Sequence, residues 1–177
     1  MVRVNVSARQ LAHGDLIPIV ADVLERTGLE PSHLCLEVTE SVLVEDPAAS
    51  AKTFAALKRL GVKIAVDDFG TGYASLDYLR RFPLDCVKID RSFVRGIPHS
   101  AEDVAIVGAV VELGHALGLS VTAEGVETSE QLGNLLTTGC DSAQGFLFSR
   151  PVDPAAVERL LSEREPGGRA QNIGVSV

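Results

Sequence analysis

The chain has few of the residue types that build disulfide, thiolate or zinc sites. Its 177 residues include three cysteines, Cys35, Cys86 and Cys140, which are odd in number and far apart. The four histidines lie in helix or loop patterns without the spacing of zinc ligands. We interpret the cysteines as small core residues of a protein of the reducing cytoplasm, and we expect no zinc site.

An excess of positive charge and long apolar segments are also absent. The net charge is −8 and no basic cluster occurs, so we expect neither DNA nor RNA as a partner. No apolar run approaches the length of a membrane span, and residue 1 begins no signal-peptide pattern. With 46% hydrophobic and 23% charged residues, the composition is that of a cytoplasmic globular protein with one sizeable core.

Short aliphatic runs alternate with amphipathic helical patterns along most of the chain. The predicted strands are residues 2–6, 34–38, 62–66, 86–89, 119–123 and, more weakly, 141–143. Three of the intervening helical patterns are followed by a glycine, Gly61, Gly118 or Gly139, as expected at a helix end. A last helix is predicted over residues 154–161, with Asp153 as its N-cap. We therefore expect one domain over residues 1–165 and a disordered tail over 166–177.

This alternation predicts an α/β protein with a parallel sheet, either open or closed as a barrel. A closed (β/α)8 barrel needs eight strands and typically about 250 residues. The six predicted strands indicate either a smaller open sheet or a barrel that lacks two strands.

Polar residues recur near the carboxyl ends of five predicted strands. Because side chains alternate along a strand, each of these residues lies opposite the aliphatic side chains that should contact the helices. They are Asn5, Glu37, Asp67, Lys88 and Glu124. In barrels and in open α/β sheets the active site lies at this end. Alternatively, each residue only marks a strand that leaves the core.

The chemistry of this set favours a site for hard cations. Asp67 and the adjacent Asp68 end an aliphatic run and precede two glycines, Gly70 and Gly72. Crowded carboxylates remain ionised together only when cations offset them, and oxygen ligands without histidine or cysteine favour Mg²⁺ or Mn²⁺. Such ions beside a lysine suit the hydrolysis of a phosphate ester.

Six segments resemble the EAL-domain phosphodiesterases, which linearise the bacterial messenger cyclic di-GMP. They occur in the order found in that family and span nearly all of residues 1–161. The segments are 4–11 (VNVSARQL), 36–41 (LEVTES), 67–73 (DDFGTGY), 87–90 (VKID), 123–128 (AEGVET) and 144–151 (QGFLFSRP).

The resemblance implies a TIM-barrel-like (β/α)8 EAL fold with one antiparallel strand, present here as about six strand-helix units. It also implies a site with two Mg²⁺ or Mn²⁺ ions and gives roles to individual residues. By similarity, Asn5, Glu37, Asp67 and Asp68 are metal ligands, Lys88 and Glu124 act on the attacking water, Gln144 contacts a guanine, and Glu40 and Glu127 stabilise the loop that contains Gly70, Thr71 and Gly72.

Simpler interpretations remain open for three of these residues. Glu40 could be a solvent-exposed acid before a helix, Glu127 an acid that complements a helix dipole, and Gln144 an ordinary turn residue.

The tripeptide Glu-Ala-Leu that names the family does not occur in these 177 residues. In the family it precedes the segment that begins at Val2 and supplies a metal-ligand glutamate, so we expect phosphodiesterase activity to be impaired in this chain. The alternatives are a catalytically inactive EAL domain that binds cyclic di-GMP or a protein partner, and an unrelated metal-dependent α/β enzyme. As partners we expect cyclic di-GMP, a second copy of the chain, and cyclase or sensor domains in a longer parent protein.

Overall fold

The computed structural model describes residues 1–72, 76–153, 156–157 and 174–175. Seven parallel strands form one sheet in chain order. They are β1 (Val2–Asn5), β2 (Leu34–Thr39), β3 (Lys63–Phe69), β4 (Cys86–Ile89), β5 (Ser120–Ala123), β6 (Ser142–Ala143) and β7 (Gly174–Val175).

Helices follow the strands and pack on one side of the sheet. They are α1 (Ala8–Ala12), α2 (Leu16–Thr27), α3 (Glu40–Glu45), α4 (Pro47–Leu60), α5 (Leu76–Arg81), α6 (Arg91–Gly96), α7 (Ala101–Ala116) and α8 (Ser129–Thr138), with a 3₁₀ turn at Pro31–His33. No helix among the described residues is long and apolar enough to cross a membrane.

Each of the first six strands overlaps one of the six predicted strands. Together they form a half-barrel, which is one of the two alternatives that the strand count left open. All described strand pairs are parallel, so the antiparallel strand implied by the resemblance is not among the described residues. The predicted helix over 154–161 and the predicted disordered tail over 166–177 fall mostly outside the described residues, apart from helical positions 156–157 and strand β7.

Local sequence explains where the helices begin and end. Ser7 and Thr128 form capping boxes at the first turns of α1 and α8, and the Asp46 side chain accepts a hydrogen bond from the Ala49 N–H at the start of α4. Gly61 and Gly139 end α4 and α8 in the left-handed conformation that glycine adopts without steric cost.

The two faces of the sheet differ as side-chain alternation predicts. Leu36, Ile64, Val66 and Val87 face the helices and lie in the main core, where Phe54 packs edge-to-face on Phe82. On the opposite face, the inward side chains are small or polar. They are Arg3, Asn5, Cys35, Glu37, Ala65, Asp67, Cys86, Lys88 and Thr122. The carboxyl ends of these strands therefore present charged groups to a common interior.

Candidate active site

A buried lysine organises the charged groups at the carboxyl ends of the strands. The Lys88 side chain is 2% exposed, and its Nζ lies 2.5 Å from Glu37 Oε2, 2.5 Å from Glu124 Oε1 and 3.1 Å from Asp67 Oδ1. Burial acts to lower the pKa of Lys88, but the hydrogen bonds to Glu124 and Glu37 outweigh burial and raise it. Lys88 is thus a permanent cation among three carboxylates.

The strand pairing explains how the two adjacent aspartates reach the same site. Strict alternation would direct Asp67 and Asp68 to opposite faces of β3. The register between β3 and β4 shifts between Val66 and Phe69, and Asp68 adopts a φ of 54°. This irregularity re-aims the second carboxylate, as β-bulges near functional sites do.

The result is a group of three carboxylates suited to a divalent cation. Oxygen atoms of Asp67, Asp68 and Glu124 lie within 4.8 Å of one another. Burial, followed by the negative charge of Asp67, raises the pKa of Asp68. Burial likewise raises the pKa of Glu124, although Lys88 acts in the opposite direction. Because the ionised forms are disfavoured without further positive charge, the geometry and the oxygen donors both fit a hard metal ion.

The other predicted ligands lie on the neighbouring strands. Glu37 is 5% exposed and reaches the site through Lys88. Asn5 pairs in register with Glu37 and belongs to the largely exposed strand β1, which is at the edge of the sheet formed by the described strands. The resemblance assigns Glu124 to the attacking water, and in the structure its carboxylate lies in the cluster with Asp67 and Asp68.

Glu40 anchors the loop that follows β3. It is 4% exposed, not a solvent-exposed acid, and its Oε2 accepts a hydrogen bond of 3.1 Å from the Gly70 N–H. A Cβ on Gly72 would lie 3.0 Å from Glu40 Oε1, which shows how closely the loop approaches. Thr71 closes the turn through hydrogen bonds from its N–H and hydroxyl to the Asp68 carbonyl.

Glu127 and Gln144 lie beyond the ends of β5 and β6. The Glu127 backbone N–H donates to Gln131 Oε1, and the Glu127 side chain makes no hydrogen bond to residues 67–72, the part of the loop that the structure describes. The loop role of Glu127 remains a prediction. Gln144 lines a cavity of about 190 Å³ together with Arg91, Glu124 and Phe146. Among the described side chains, the Gln144 Oε1 atom is buried and lacks a hydrogen-bond partner.

Sequence reasoning missed two residues of this region. Arg3 precedes Asn5 by two residues, so both side chains lie on the same face of β1, and Arg3 donates a hydrogen bond of 3.2 Å to Glu37 Oε1. The alternation of side chains along β1 could have placed Arg3 on this face. Phe146 is 51% exposed beside the Gln144 cavity, and the Arg150 guanidinium lies 4.7 Å from the centre of its ring. The available signal in the sequence was an aromatic residue two positions after Gln144 in the QGFLFSRP segment.

Comparisons with known proteins find one family across most of the chain. Residues 1–151 match the family model described as EAL domain. The chain is 50% identical over 161 residues to the bifunctional diguanylate cyclase/cyclic di-GMP phosphodiesterase MucR of Pseudomonas aeruginosa, an alignment that covers 91% of the chain and 23% of MucR.

Solved structures show the same similarity. The phosphodiesterase of PaMucR in complex with c-di-GMP aligns with a TM-score of 0.83 and 49% identity, over 88% of this chain and 63% of that one. BlrP1 of Klebsiella pneumoniae, solved with manganese and cy-diGMP, aligns with a TM-score of 0.78 and 41% identity, over 84% of this chain and 38% of that one. BlrP1 was also solved as a calcium/cy-diGMP complex. The chain thus spans less than two thirds of each of these proteins.

Proposed function

The chain belongs to the EAL domain family, and on this premise we propose that it forms the greater part of a domain that hydrolyses cyclic di-GMP to the linear dinucleotide. The observation that carries this proposal is the clustering of Asp67, Asp68 and Glu124 around the cation Lys88 at the carboxyl ends of the strands. MucR and BlrP1, whose structures contain this nucleotide, support the choice of substrate.

We assign the metal-holding role to the oxygen donors of this face. Asp67, Asp68, Glu37 and Asn5 would hold Mg²⁺ or Mn²⁺, and Glu124 lies close enough to Asp67 and Asp68 to join them. Bound divalent ions would supply an activated water and offset the charge on the phosphoryl oxygens.

The remaining residues act on the attacking water or bind the nucleotide base. Lys88 reaches Asp67 and Glu124 at once, so its ammonium can donate to the attacking water or to a phosphoryl oxygen. Glu124 has a raised pKa and can accept the proton of the water. Gln144 offers its unpaired Oε1 to the N–H groups of a guanine, and the exposed ring of Phe146 provides a face for stacking the base.

A test compares two proteins in a chromatographic assay for the linear dinucleotide with Mn²⁺. One is the 177-residue chain, and the other is a fusion that places the preceding part of the MucR domain, with its Glu-Ala-Leu segment, before Val2. We expect negligible turnover by the chain and ready turnover by the fusion. A fusion that folds and binds Mn²⁺ but leaves cyclic di-GMP intact would contradict the proposal.

A second candidate function is that of an EAL domain that binds cyclic di-GMP or a protein partner without hydrolysis. A domain with an incomplete set of metal ligands can still bind the nucleotide and signal through a partner. Calorimetry with cyclic di-GMP distinguishes the two functions, because a binding module retains micromolar affinity in both proteins and hydrolyses the nucleotide in neither.

The wider setting is also proposed from the relatives. Because the chain corresponds to 23% of MucR, whose name combines cyclase and phosphodiesterase activities, we propose a parent protein with cyclase or sensor domains. A second copy of the chain as a partner and a location in the cytoplasm remain predictions from the sequence.

A further inference from the structure

The Arg3 side chain on β1 contacts residues of two other strands, Glu37 on β2 and Thr122 on β5. It precedes Asn5 by two residues, so both side chains lie on the same face of β1. The Arg3 side chain is 14% exposed, and its two terminal nitrogens donate to Glu37 Oε1 at 3.2 Å and to Thr122 Oγ1 at 3.3 Å. Since β1 and β5 are separated by three strands, this contact crosses the interior of the half-barrel.

The Glu37 carboxylate is consequently held from two directions. Its Oε1 accepts from Arg3 and its Oε2 accepts from Lys88 at 2.5 Å. Arg3 is fixed in turn by Thr122, whose hydroxyl also lies 3.4 Å from Cys86 Sγ. A planar guanidinium with two anchors fixes the plane of a carboxylate in a way that a single ammonium cannot.

We propose that Arg3 is a positioning residue that orients Glu37 to present a single oxygen to a divalent cation. The inference rests on the proposed function, because it takes Glu37 as a metal ligand. Mg²⁺ requires near-ideal octahedral geometry, whereas Ca²⁺ accepts flexible and bidentate carboxylates. Arg3 therefore favours Mg²⁺ over Ca²⁺ at this site. If Arg3 were only a nearby cation, its removal would instead strengthen the binding of both ions.

The experiment titrates the 177-residue chain with Mg²⁺ and, separately, with Ca²⁺ by calorimetry, and it measures unfolding of each variant in chelator. The variants are Arg3→Met, Arg3→Lys and Thr122→Val, with Arg26→Met as control because Arg26 forms an exposed ion pair with Asp22 on α2. We expect Arg3→Met to weaken Mg²⁺ binding about 10- to 100-fold, the usual effect of losing a hydrogen-bond partner of a metal ligand. Ca²⁺ binding should weaken less.

The two other variants separate geometry from charge and from folding. Arg3→Lys keeps the positive charge but lacks the planar guanidinium that contacts Glu37 and Thr122 at the same time. It should therefore not restore Mg²⁺ affinity. Thr122→Val removes the second anchor of Arg3, together with the contact to Cys86, and leaves the Arg3–Glu37 contact in place. It should lower the Mg²⁺ to Ca²⁺ preference to an intermediate extent. It also keeps the test decisive if Arg3→Met does not fold.

Three results would overturn the inference. Unchanged Mg²⁺ binding by Arg3→Met would show that Arg3 does not position Glu37, and tighter binding would make Arg3 a competing cation. An equal loss for both ions, parallel to a loss of stability in chelator, would make it a structural residue only. If the unsubstituted chain binds neither ion, the proposed metal site itself fails, and this inference with it.

Discussion

At the scale of single residues, the central feature is the imbalance between carboxylates and cations. Glu37, Asp67 and Glu124 all contact Lys88, which is nearly inaccessible to solvent. A buried charge that loses its partner destabilises a fold far more than an exposed charge does. Lys88 therefore contributes to stability as well as to the proposed chemistry, and the two contributions can be measured separately.

We expect Lys88→Met to destabilise the chain by about 3–5 kcal/mol in chelator, because the buried carboxylate of Glu37 and the partly buried carboxylates of Asp67 and Glu124 lose their cation. Millimolar Mn²⁺ should restore part of this loss by supplying positive charge to the same oxygens. Urea unfolding with and without Mn²⁺ measures both effects. Lys52→Met, on the exposed face of α4, is the matched control. A loss in chelator no larger than that of the control would show that Lys88 does not balance the carboxylates.

Asp67→Asn should reduce kcat for cyclic di-GMP in the fusion protein by about 100-fold or more, the scale of removing one preorganised electrostatic group. Asp67 contacts Lys88 and belongs to the cluster of carboxylates with Asp68 and Glu124. The neutral amide of asparagine should weaken both the ion pair and the binding of metal. Steady-state kinetics with Mn²⁺ gives the value, and Asp15→Asn, at the exposed position before α2, serves as control. A rate within threefold of the unsubstituted fusion would remove Asp67 from the site.

At the scale of elements, alternation along strands was sufficient to predict which face carries the site. Glu37 in β2, Lys88 in β4 and Glu124 directly after β5 follow strict alternation, so their common face could be predicted from the sequence. Asp68 could not be placed in this way, because its position depends on a register shift. The adjacent carboxylates indicated that Asp68 belongs to a cation site, and the family resemblance gave its role as a metal ligand.

Contacts between distant elements were the main features that the sequence did not reveal. Arg3 meets partners 34 and 119 residues away, and no local pattern records such contacts. Helices α1, α3, α5 and α6 have five or six residues and were also missed. Helices this short are marginal in isolation and form because tertiary packing supports them.

The turn between β6 and the QGFLFSRP segment depends on a close backbone approach. A Cβ at Gly145 would lie 2.3 Å from both the N and the O atom of Val126, and the Val126 N–H donates to the Gln144 carbonyl. We expect Gly145→Ala to destabilise the chain by about 1–3 kcal/mol, because main-chain atoms must shift. It should also weaken cyclic di-GMP binding through Gln144.

Gly133→Ala is the control for this substitution. Gly133 lies within α8, and no neighbouring atom comes within 4 Å of the position that a Cβ would occupy there. Alanine should therefore stabilise the chain by up to about 1 kcal/mol through its higher helix propensity. Urea denaturation of both variants tests the pair. A Gly145→Ala protein as stable as the unsubstituted chain would show that the turn relaxes without cost.

At the scale of the whole molecule, metal binding should be coupled to folding. The carboxylates of the half-barrel repel one another without metal, so Mg²⁺ or Mn²⁺ should raise the melting temperature by mass action. At 100 times the dissociation constant the gain is about 2.7 kcal/mol. Differential scanning fluorimetry with Asp67→Asn as control checks this. A melting curve that does not respond to millimolar Mn²⁺ would contradict a metal site in this chain.

The open edge of the sheet predicts the association state of the 177-residue chain. Strand β1 pairs only with β2 among the described residues, and its Val2 and Val4 side chains are exposed. An exposed apolar edge strand offers unpaired backbone groups to another chain. We therefore expect oligomers at micromolar concentration, measured by size-exclusion chromatography with light scattering.

Val2→Lys combined with Val4→Lys should shift the population to monomer, because charged edge strands resist pairing. Ile19→Lys, at an equally exposed apolar position on α2, should leave the oligomers unchanged. A monomer in the unsubstituted chain, or dissociation by Ile19→Lys alone, would show that β1 is not the surface that associates.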